Sequence, residues 1–424
     1  MDVLFECIRQ GGSPFTAAAF CKNYLLDHGF REIKYGKKFD LGDSDRCLVC
    51  PFPDTIFAFT TGRVAGADPD LRMAFAHLDQ PCLKVKGRPD IKSMDCHLLN
   101  VEIYGGMKES TWFDRPLGMA GQVVLKGEEV FRPETVTFDS GRPVALIPGL
   151  ATHMRKRSGD TDTIDRQNHM LPLAGLAGSR ITEGAFMSFL ADELKVDRSE
   201  ILSYDLSLYN FDEPQLVGFE NDFISSPRLD NLASVSAMLE ALTEADRRRG
   251  INLIGIFNHE EVGSRSRSGA DSDLLREVLV RILYGAGLED DRIADALTRG
   301  HYLSVDGAQG AHPNYPDRYD LTARAYMGQG PAVKVSASQR YATDCIMEAI
   351  LLTLSEKYDF PLQEINDRNT IRGGSTIGPM IGADIPMPGC DVGIPMLAMH
   401  SARETICADD YDSMCQLLTA FFTE

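Results

Sequence analysis

"INLIGIFNHEEVGSRS", Ile251 to Ser266, joins an apolar run to two adjacent glutamates. A short apolar run bounded by turn residues reads as a buried strand, and Gly263 marks the turn behind it. Successive strand residues point to opposite faces. Glu260 and Glu261 can therefore serve one site only if the backbone bends after Phe257. Around this strand the pattern alternates. "LASVSAMLEAL" before it sets Leu232, Val235, Met238, Leu239 and Leu242 at helical spacing, with "DRRRG" read as a basic last turn and Gly250 beyond. After it come a helical "DSDLLREVLVRILYGAG", a strand "YLSVDG", a helical "YATDCIMEAILLTLSEKY" and an apolar strand "DVGIPMLAMH" ending in His400. Helices and strands in alternation predict an α/β layer fold, whose chemistry gathers at strand ends and in the loops after them.

The stretch from about 86 to 221 differs. Its short runs "HLLNVEIYGG", "GQVVLKG", "EEVFRP" and "RPVALIPGL" are broken by Gly, Pro and charge, which predicts a small β-rich domain. The polar "RKRSGDTDTIDRQN" within it reads as a mobile loop. Near the N-terminus, Ser13 and Pro14 form a helix start, Phe15, Ala18, Ala19, Leu25 and Leu26 suit one apolar face, and Gly29 is placed to end the helix.

The chain has 424 residues, 43% hydrophobic and 25% charged, with a formal net charge of -19. That is ordinary globular composition for two or three domains. An acidic average surface argues against nucleic acid or an anionic membrane as partner. No basic region followed by an apolar one opens the sequence and no run of about 18 apolar residues occurs, so neither signal peptide nor membrane span is expected. Ten scattered cysteines read as reduced residues of a cytoplasmic protein. Cys47 and Cys50 form one C-x-x-C, but no second pair at zinc-ribbon distance accompanies it.

Acidic residues and histidines recur at the ends of apolar runs: His77 and Asp79 in "RMAFAHLDQP", Asp230 in "SSPRLDNLASV", Glu260 and Glu261, Asp306 in "YLSVDGAQGAH", and His400 in "PMLAMHSARE". Taken singly, such a histidine is ordinarily structural and an Asp before a helix is ordinarily its cap. Together they suit two zinc ions sharing one carboxylate, since zinc takes His nitrogen and carboxylate oxygen, and a pair about 3.5–4 Å apart can clamp a carbonyl oxygen. In the allotment that works, Asp230 bridges, His77 and Asp306 complete one position, and Glu261 and His400 complete the other. Asp79 is placed to accept the second ring N–H of His77. Glu260, left without a metal, becomes the general base.

The motifs "AHLDQPCLKVK", "YGGMKESTWFDRPLGMAG", "SSPRLDNLASV", "NHEEVGS", "HPNYPDR", "GPAVKVSASQRYATD", "GGSTIGPMIG" and "IPMLAMHSARE" occur in this order. As a set they resemble the aspartyl aminopeptidases, cytosolic zinc exopeptidases. The resemblance implies a three-layer α/β catalytic domain, residues 1–85 and 222–424, interrupted by a β-rich dimerisation domain, residues 86–221. It implies a homododecamer, two zinc ions on the five ligands above (manganese or cobalt suit the same donors), and Glu260 as the base. It further implies that His153 of "PGLATHMRK" reaches a neighbouring subunit's active site and that Lys334 of "GPAVKVS" lies near the pocket for the first side chain. Gly374 and Ser375 of "GGST" would line that pocket.

From the residues alone, His153 reads as a surface histidine, and a lysine within an apolar run reads as an edge-strand residue with its amine in water. The sequence departs from the family at Gln309, where many relatives carry histidine, and in "HLDQP", where Thr and Ser usually flank the aspartate. The expected reaction is release of an N-terminal residue, preferably Asp or Glu, from a peptide with a free N-terminus. The alternatives are another two-metal amide hydrolase, a carboxypeptidase or deacylase, and a non-catalytic peptide-binding assembly protein.

Overall fold

A computed structural model describes residues 1–63, 70–154, 163–177, 184–371 and 373–424. Most of the polar run expected as a mobile loop, residues 155–162, lies outside the described residues.

Among the described residues nine strands form a central sheet. Their spatial order is Arg31–Glu32, Arg46–Phe52, Thr55–Thr61, Ile251–Phe257, Leu71–His77, His301–Val305, Gly389–Gly393, Ala332–Val335 and Gln363–Asn366. Every residue of Ile251–Phe257 is buried, as expected of a strand covered on both faces. The Phe257 ring meets Phe57 edge-on at 5.5 Å and Phe75 at 6.0 Å. Such pairs contribute about 0.5–1.5 kcal/mol each beyond burial. Helices Asp2–Gln10, Pro14–Asp27, Leu229–Glu244, Cys345–Tyr358 and Ala408–Thr423 pack on one face, and Leu274–Gly285, Asp290–Arg299 and Gly378–Asp384 on the other.

Parallel register places the site. Ile251–Phe257 runs parallel to Leu71–His77 with Phe257 opposite His77, and His301–Val305 runs parallel to both Leu71–His77 and Gly389–Gly393. Their C-terminal ends therefore lie side by side on one edge of the sheet, where crevices of α/β folds form.

The β-rich segment forms a second sheet of six antiparallel-paired strands, from Cys82–Ser93 to Ile201–Asn210, with its own core around Trp112, Leu117 and Leu208. It begins before residue 86. A third, smaller sheet pairs Gln215–Val217 with Phe223–Ser226 and that strand with Glu404–Cys407, tying the end of the insert to the chain's last strand.

Local expectations fare unevenly. Ser13 caps Pro14–Asp27 in a reciprocal capping box with Thr16. "DRRRG" lies outside the helix, which ends at Glu244. "DVGIPMLAMH" is two short strands in different sheets, Gly389–Gly393 and Pro395–Leu397, with His400 in the turn beyond. Cys47 is buried and Cys50 half-buried on one strand, and both are free. No helix among the described residues is long and apolar enough to cross a membrane.

Candidate metal centre

His77 closes its strand and is buried. Its Nδ1 lies 2.9 Å from the Asp79 carbonyl oxygen. A carbonyl can only accept, so Nδ1 carries the hydrogen and the Nε2 lone pair is left for another partner. Nε2 lies 3.5 Å from both Asp230 Oδ1 and Asp306 Oδ1. His400 repeats the arrangement. Its Nδ1 lies 3.2 Å from the Gly106 carbonyl oxygen, and its Nε2 lies 3.5 Å from both Asp230 Oδ2 and Glu261 Oε2. Two triads result, His77–Asp230–Asp306 and Asp230–Glu261–His400, each with its ligand atoms within 4.8 Å of one another. Asp230 belongs to both.

The spacing fits bound divalent ions. Ligands at about 2.0–2.1 Å in a tetrahedral shell are about 3.3–3.4 Å apart. The 3.5 Å separations are near that edge length and too long for good hydrogen bonds. Asp230 Oδ1 and Glu261 Oε1 are buried without a hydrogen-bond partner, an arrangement that a cation would compensate. Asp230 does not cap its helix through its carboxylate: the helix start has no side-chain cap hydrogen bond and Asp230 Oδ1 has no hydrogen-bond partner.

The bend after Phe257 is a single 3-10 turn, Glu260–Val262, bounded by positive φ at His259, Gly263 and Ser264. Asp79 holds this turn. Its Oδ1 accepts the Glu260 N–H and its Oδ2 the Glu261 N–H, each at 3.0 Å, while Tyr104 Oη donates to Oδ2 across 2.6 Å. This corrects the expectation for Asp79. Its backbone carbonyl fixes the His77 ring, whereas its carboxylate, 3.5 Å from Nδ1, anchors the two-glutamate turn. Glu260 Oε2 lies 3.9 Å from His77 Nε2. His259 is structural, its Nδ1 2.8 Å from Ser266 Oγ.

The electrostatics follow from crowding acids in a largely buried site. Burial, reinforced by Asp306, Asp230 and Asp79, pushes Glu260 up to about 8. Burial and Asp230 push Glu261 well above the usual carboxyl value. Burial disfavours the charged imidazoles, yet Asp230 and Asp306 hold His77 well above its ordinary value, and Asp230 and Glu261 raise His400 to about 10. Burial disfavours ionised Asp230 too, but the two histidines outweigh it and hold its carboxyl low.

A cavity of about 150 Å³ opens onto the centre. Glu260, Gln309, Lys334, Tyr341, Gly374 and Ser375 are among its lining residues. Lys334 is not on an edge. Its strand lies between Gly389–Gly393 and Gln363–Asn366, its side chain is buried, and its Nζ is 3.8 Å from Asp306 Oδ2 and 5.6 Å from the Tyr341 ring centre. Burial disfavours the ammonium, but Asp306, Tyr341 and Asp391 more than offset it and raise the Lys334 pKa. His153 stands in an exposed turn, Thr152–Met154, and does not line this cavity.

Sequence reasoning assigned no role to several contributors. Glu404 is buried, with Oε2 accepting the Asp230 N–H at 2.9 Å and Oε1 the His400 N–H at 2.7 Å. Tyr104 and Gly106 reach the centre from the inserted segment. The adjacent glycines of "YGG" were the available signal for Gly106, because paired glycines mark close backbone approach.

The family model described as aminopeptidase I zinc metalloprotease (M18) matches residues 7–422. A probable M18 family aminopeptidase 2 of Clostridium novyi (strain NT) is 36% identical over 410 residues, 96% of this chain and 95% of the relative. The fold superposes on a chain from the cryo-EM structure of the Ape4 and Nbr1 complex with TM-score 0.93 at 29% identity, covering 100% of this chain and 85% of that one. It also superposes on the S. cerevesiae mApe1 dodecamer with TM-score 0.85 at 21% identity, covering 99% and 95%. With a match across nearly the whole chain and His/carboxylate triads suited to zinc, the chain belongs to the M18 family of zinc aminopeptidases.

Proposed function

We propose that this chain removes an N-terminal residue, preferably Asp or Glu, from peptides with a free N-terminus, using two divalent ions that share Asp230. The observation that carries the reading is the pair of His/carboxylate triads joined at Asp230, with a non-ligating glutamate, Glu260, on the wall of the adjoining cavity. His77 and Asp306 complete one position, and Glu261 and His400 the other.

When bound, the ions would polarise a carbonyl and lower the pKa of a water toward about 7. Zinc is the family's metal, and manganese or cobalt suits the same donors. Glu260 takes the proton of the attacking water and returns it to the leaving amine. Its carboxyl is outside both triads and lines the cavity, so it is free to exchange a proton with a water held there. Asp79 keeps Glu260 in place by accepting its backbone N–H. Lys334, held cationic and facing the cavity, pairs with the carboxylate of the substrate's first side chain. Gly374 and Ser375 shape that pocket.

The same reading includes a homo-oligomer formed through the inserted sheet, a dodecamer as in the superposed mApe1 structure. Val130 and Phe131, 92% and 96% exposed at a hairpin tip of the insert, suit a surface covered on assembly. His153, exposed on the insert, would there complete a neighbour's site. Ten free cysteines fit a cytoplasmic location.

The test is a panel of Asp-, Glu-, Leu- and Lys-initiated peptides, with free and acetylated N-termini, assayed after chelation and metal return. Fastest cleavage of free Asp or Glu peptides is expected. Faster turnover of Leu peptides rejects the acidic preference, and cleavage of acetylated peptides rejects recognition of the free amine.

A further inference from the structure

We infer that Gly105, Gly106, Thr111 and Asn210 of the inserted β-rich segment, within a single subunit, position the Glu261/His400 metal site and not the His77/Asp306 site. The inference rests on the two-ion reading above.

The asymmetry lies in how the two histidines are held. The His77 ring is fixed by the Asp79 carbonyl, and Asp306 Oδ1 accepts the N–H of the adjacent Gly307 at 2.7 Å. Both supports belong to strand ends of the central sheet. His400 instead lies in a turn with positive φ at Ala398 and at His400 itself. Such backbone is unfavourable for non-glycine residues and persists where surrounding contacts impose it.

Those contacts come largely from the insert. The Gly106 carbonyl accepts from His400 Nδ1, and the Lys108 N–H donates to the His400 carbonyl at 3.0 Å. Two residues further on, the Ala402 N–H donates to Thr111 Oγ1 at 2.8 Å, and Asn210 Nδ2 donates to the Ala402 carbonyl at 2.7 Å. Ala402 also packs in the core of the insert with Trp112. The turn is thus bound to the insert both at His400 and two residues beyond it.

The glycine pair makes this approach possible. A Cβ at Gly105, whose φ is +73°, would lie 3.2 Å from Glu261 Cβ and 3.3 Å from Glu261 Oε2. A Cβ at Gly106 would lie 3.1 Å from His400 Nδ1. The insert backbone therefore presses on both ligands that belong solely to the second position, Glu261 and His400. Gly106, Thr111 and Asn210 act as positioning residues, because they touch a ligand or its turn and not the ion.

The experiment is calorimetric titration of the chelated, full-length protein with Zn2+ in the presence of a competing chelator. Wild type is expected to take up two equivalents. Gly106→Ala and Thr111→Val are each expected to weaken one equivalent by about 10–100-fold, the usual effect of losing a contact behind a ligand, and to leave the other within about twofold. Thr111→Val is the milder change and keeps the test available should Gly106→Ala fail to fold. Tyr204→Phe removes a hydrogen bond wholly within the insert, Tyr204 Oη to the Lys86 carbonyl at 2.7 Å, and is expected to change neither equivalent. Equal weakening of both equivalents, or of neither, in the first two variants overturns the inference while leaving the two-ion reading intact. A wild type binding fewer than two equivalents overturns both.

Discussion

Tyr104 Oη donates to Asp79 Oδ2 across 2.6 Å, linking the last residue of an inserted strand to the loop that follows His77. Burial and the neighbouring Asp79 push the phenol pKa upward, so the hydroxyl remains a donor. Asp79 in turn accepts the N–H groups of Glu260 and Glu261, each at 3.0 Å. One phenol therefore bears, through a single carboxylate, on both Glu260, the proposed base, and Glu261, a proposed metal ligand.

Tyr104→Phe keeps the ring and deletes the donor. Its kcat is expected to fall by about 10–100-fold with KM changed far less, because the Glu260 turn loses alignment while the cavity wall is unaltered. Steady-state kinetics on an Asp-initiated peptide decide this, and a kcat equal to wild type removes Tyr104 from the account.

Glu260→Gln addresses the proposed base directly. Glutamine preserves shape and cannot take a proton, so kcat should drop by about 10²–10⁴-fold. Bound metal should stay at the wild-type level, since Glu260 is outside both triads. Metal analysis alongside kinetics separates the two roles: loss of metal would make Glu260 a ligand, and near-normal turnover would place the proton transfer elsewhere.

The site was legible where chemistry coincides with local pattern. His77, the Glu260–Glu261 pair and Asp306 each follow an apolar run, and the sheet register brings those run ends together. Asp230 stood before a helical run and His400 at the end of an apolar one. What escaped was carried by non-local backbone contacts. Nothing in sequence tells that the Glu404 carboxylate will reach the N–H groups of Asp230 and His400, residues on different elements. Nor does it tell that the Asp79 carbonyl, and not its carboxylate, will meet the His77 ring. The resemblance placed Lys334 near the pocket, but its residue-level reading as an edge lysine fails for a related reason: an amine within an apolar run looks like an edge residue until the flanking strands and Asp306 are seen around it. The division of "DVGIPMLAMH" between two sheets depends on neighbours that no periodicity encodes.

Lys334→Met tests substrate selection. Methionine fills much the same volume and removes the cation from the cavity wall. A hydrogen bond between charged partners is worth about 1.5–3 kcal/mol, so kcat/KM for Asp and Glu peptides should fall by about 10–100-fold relative to Leu peptides. An unchanged Asp-to-Leu ratio would mean that Lys334 serves Asp306 alone and leaves side-chain choice to other residues.

The acid cluster also predicts how metal stabilisation varies with pH. In the metal-free chain Glu260 and Glu404 are each raised to about 8 by burial, with nearby carboxylates including Asp230 adding to the shift. A carboxyl with a raised folded value stabilises the fold while protonated. That contribution is complete below the unfolded value of about 4.5 and is lost as pH rises through about 8. His77 and His400 act in the same sense, their contributions complete below about 6.5 and lost as pH rises through their higher folded values, about 10 for His400. Asp230, held low, stays ionised across this range and adds no slope. The chelated protein should therefore lose stability between about pH 6 and pH 8.5, whereas divalent ions, which bind deprotonated ligands, should stabilise increasingly over the same interval. Thermal unfolding with and without chelator is expected to show a Tm difference that widens with pH, accompanied by proton release on metal uptake. A difference that stays constant or narrows would mean that these carboxylates and imidazoles are not the groups whose charge the metal compensates.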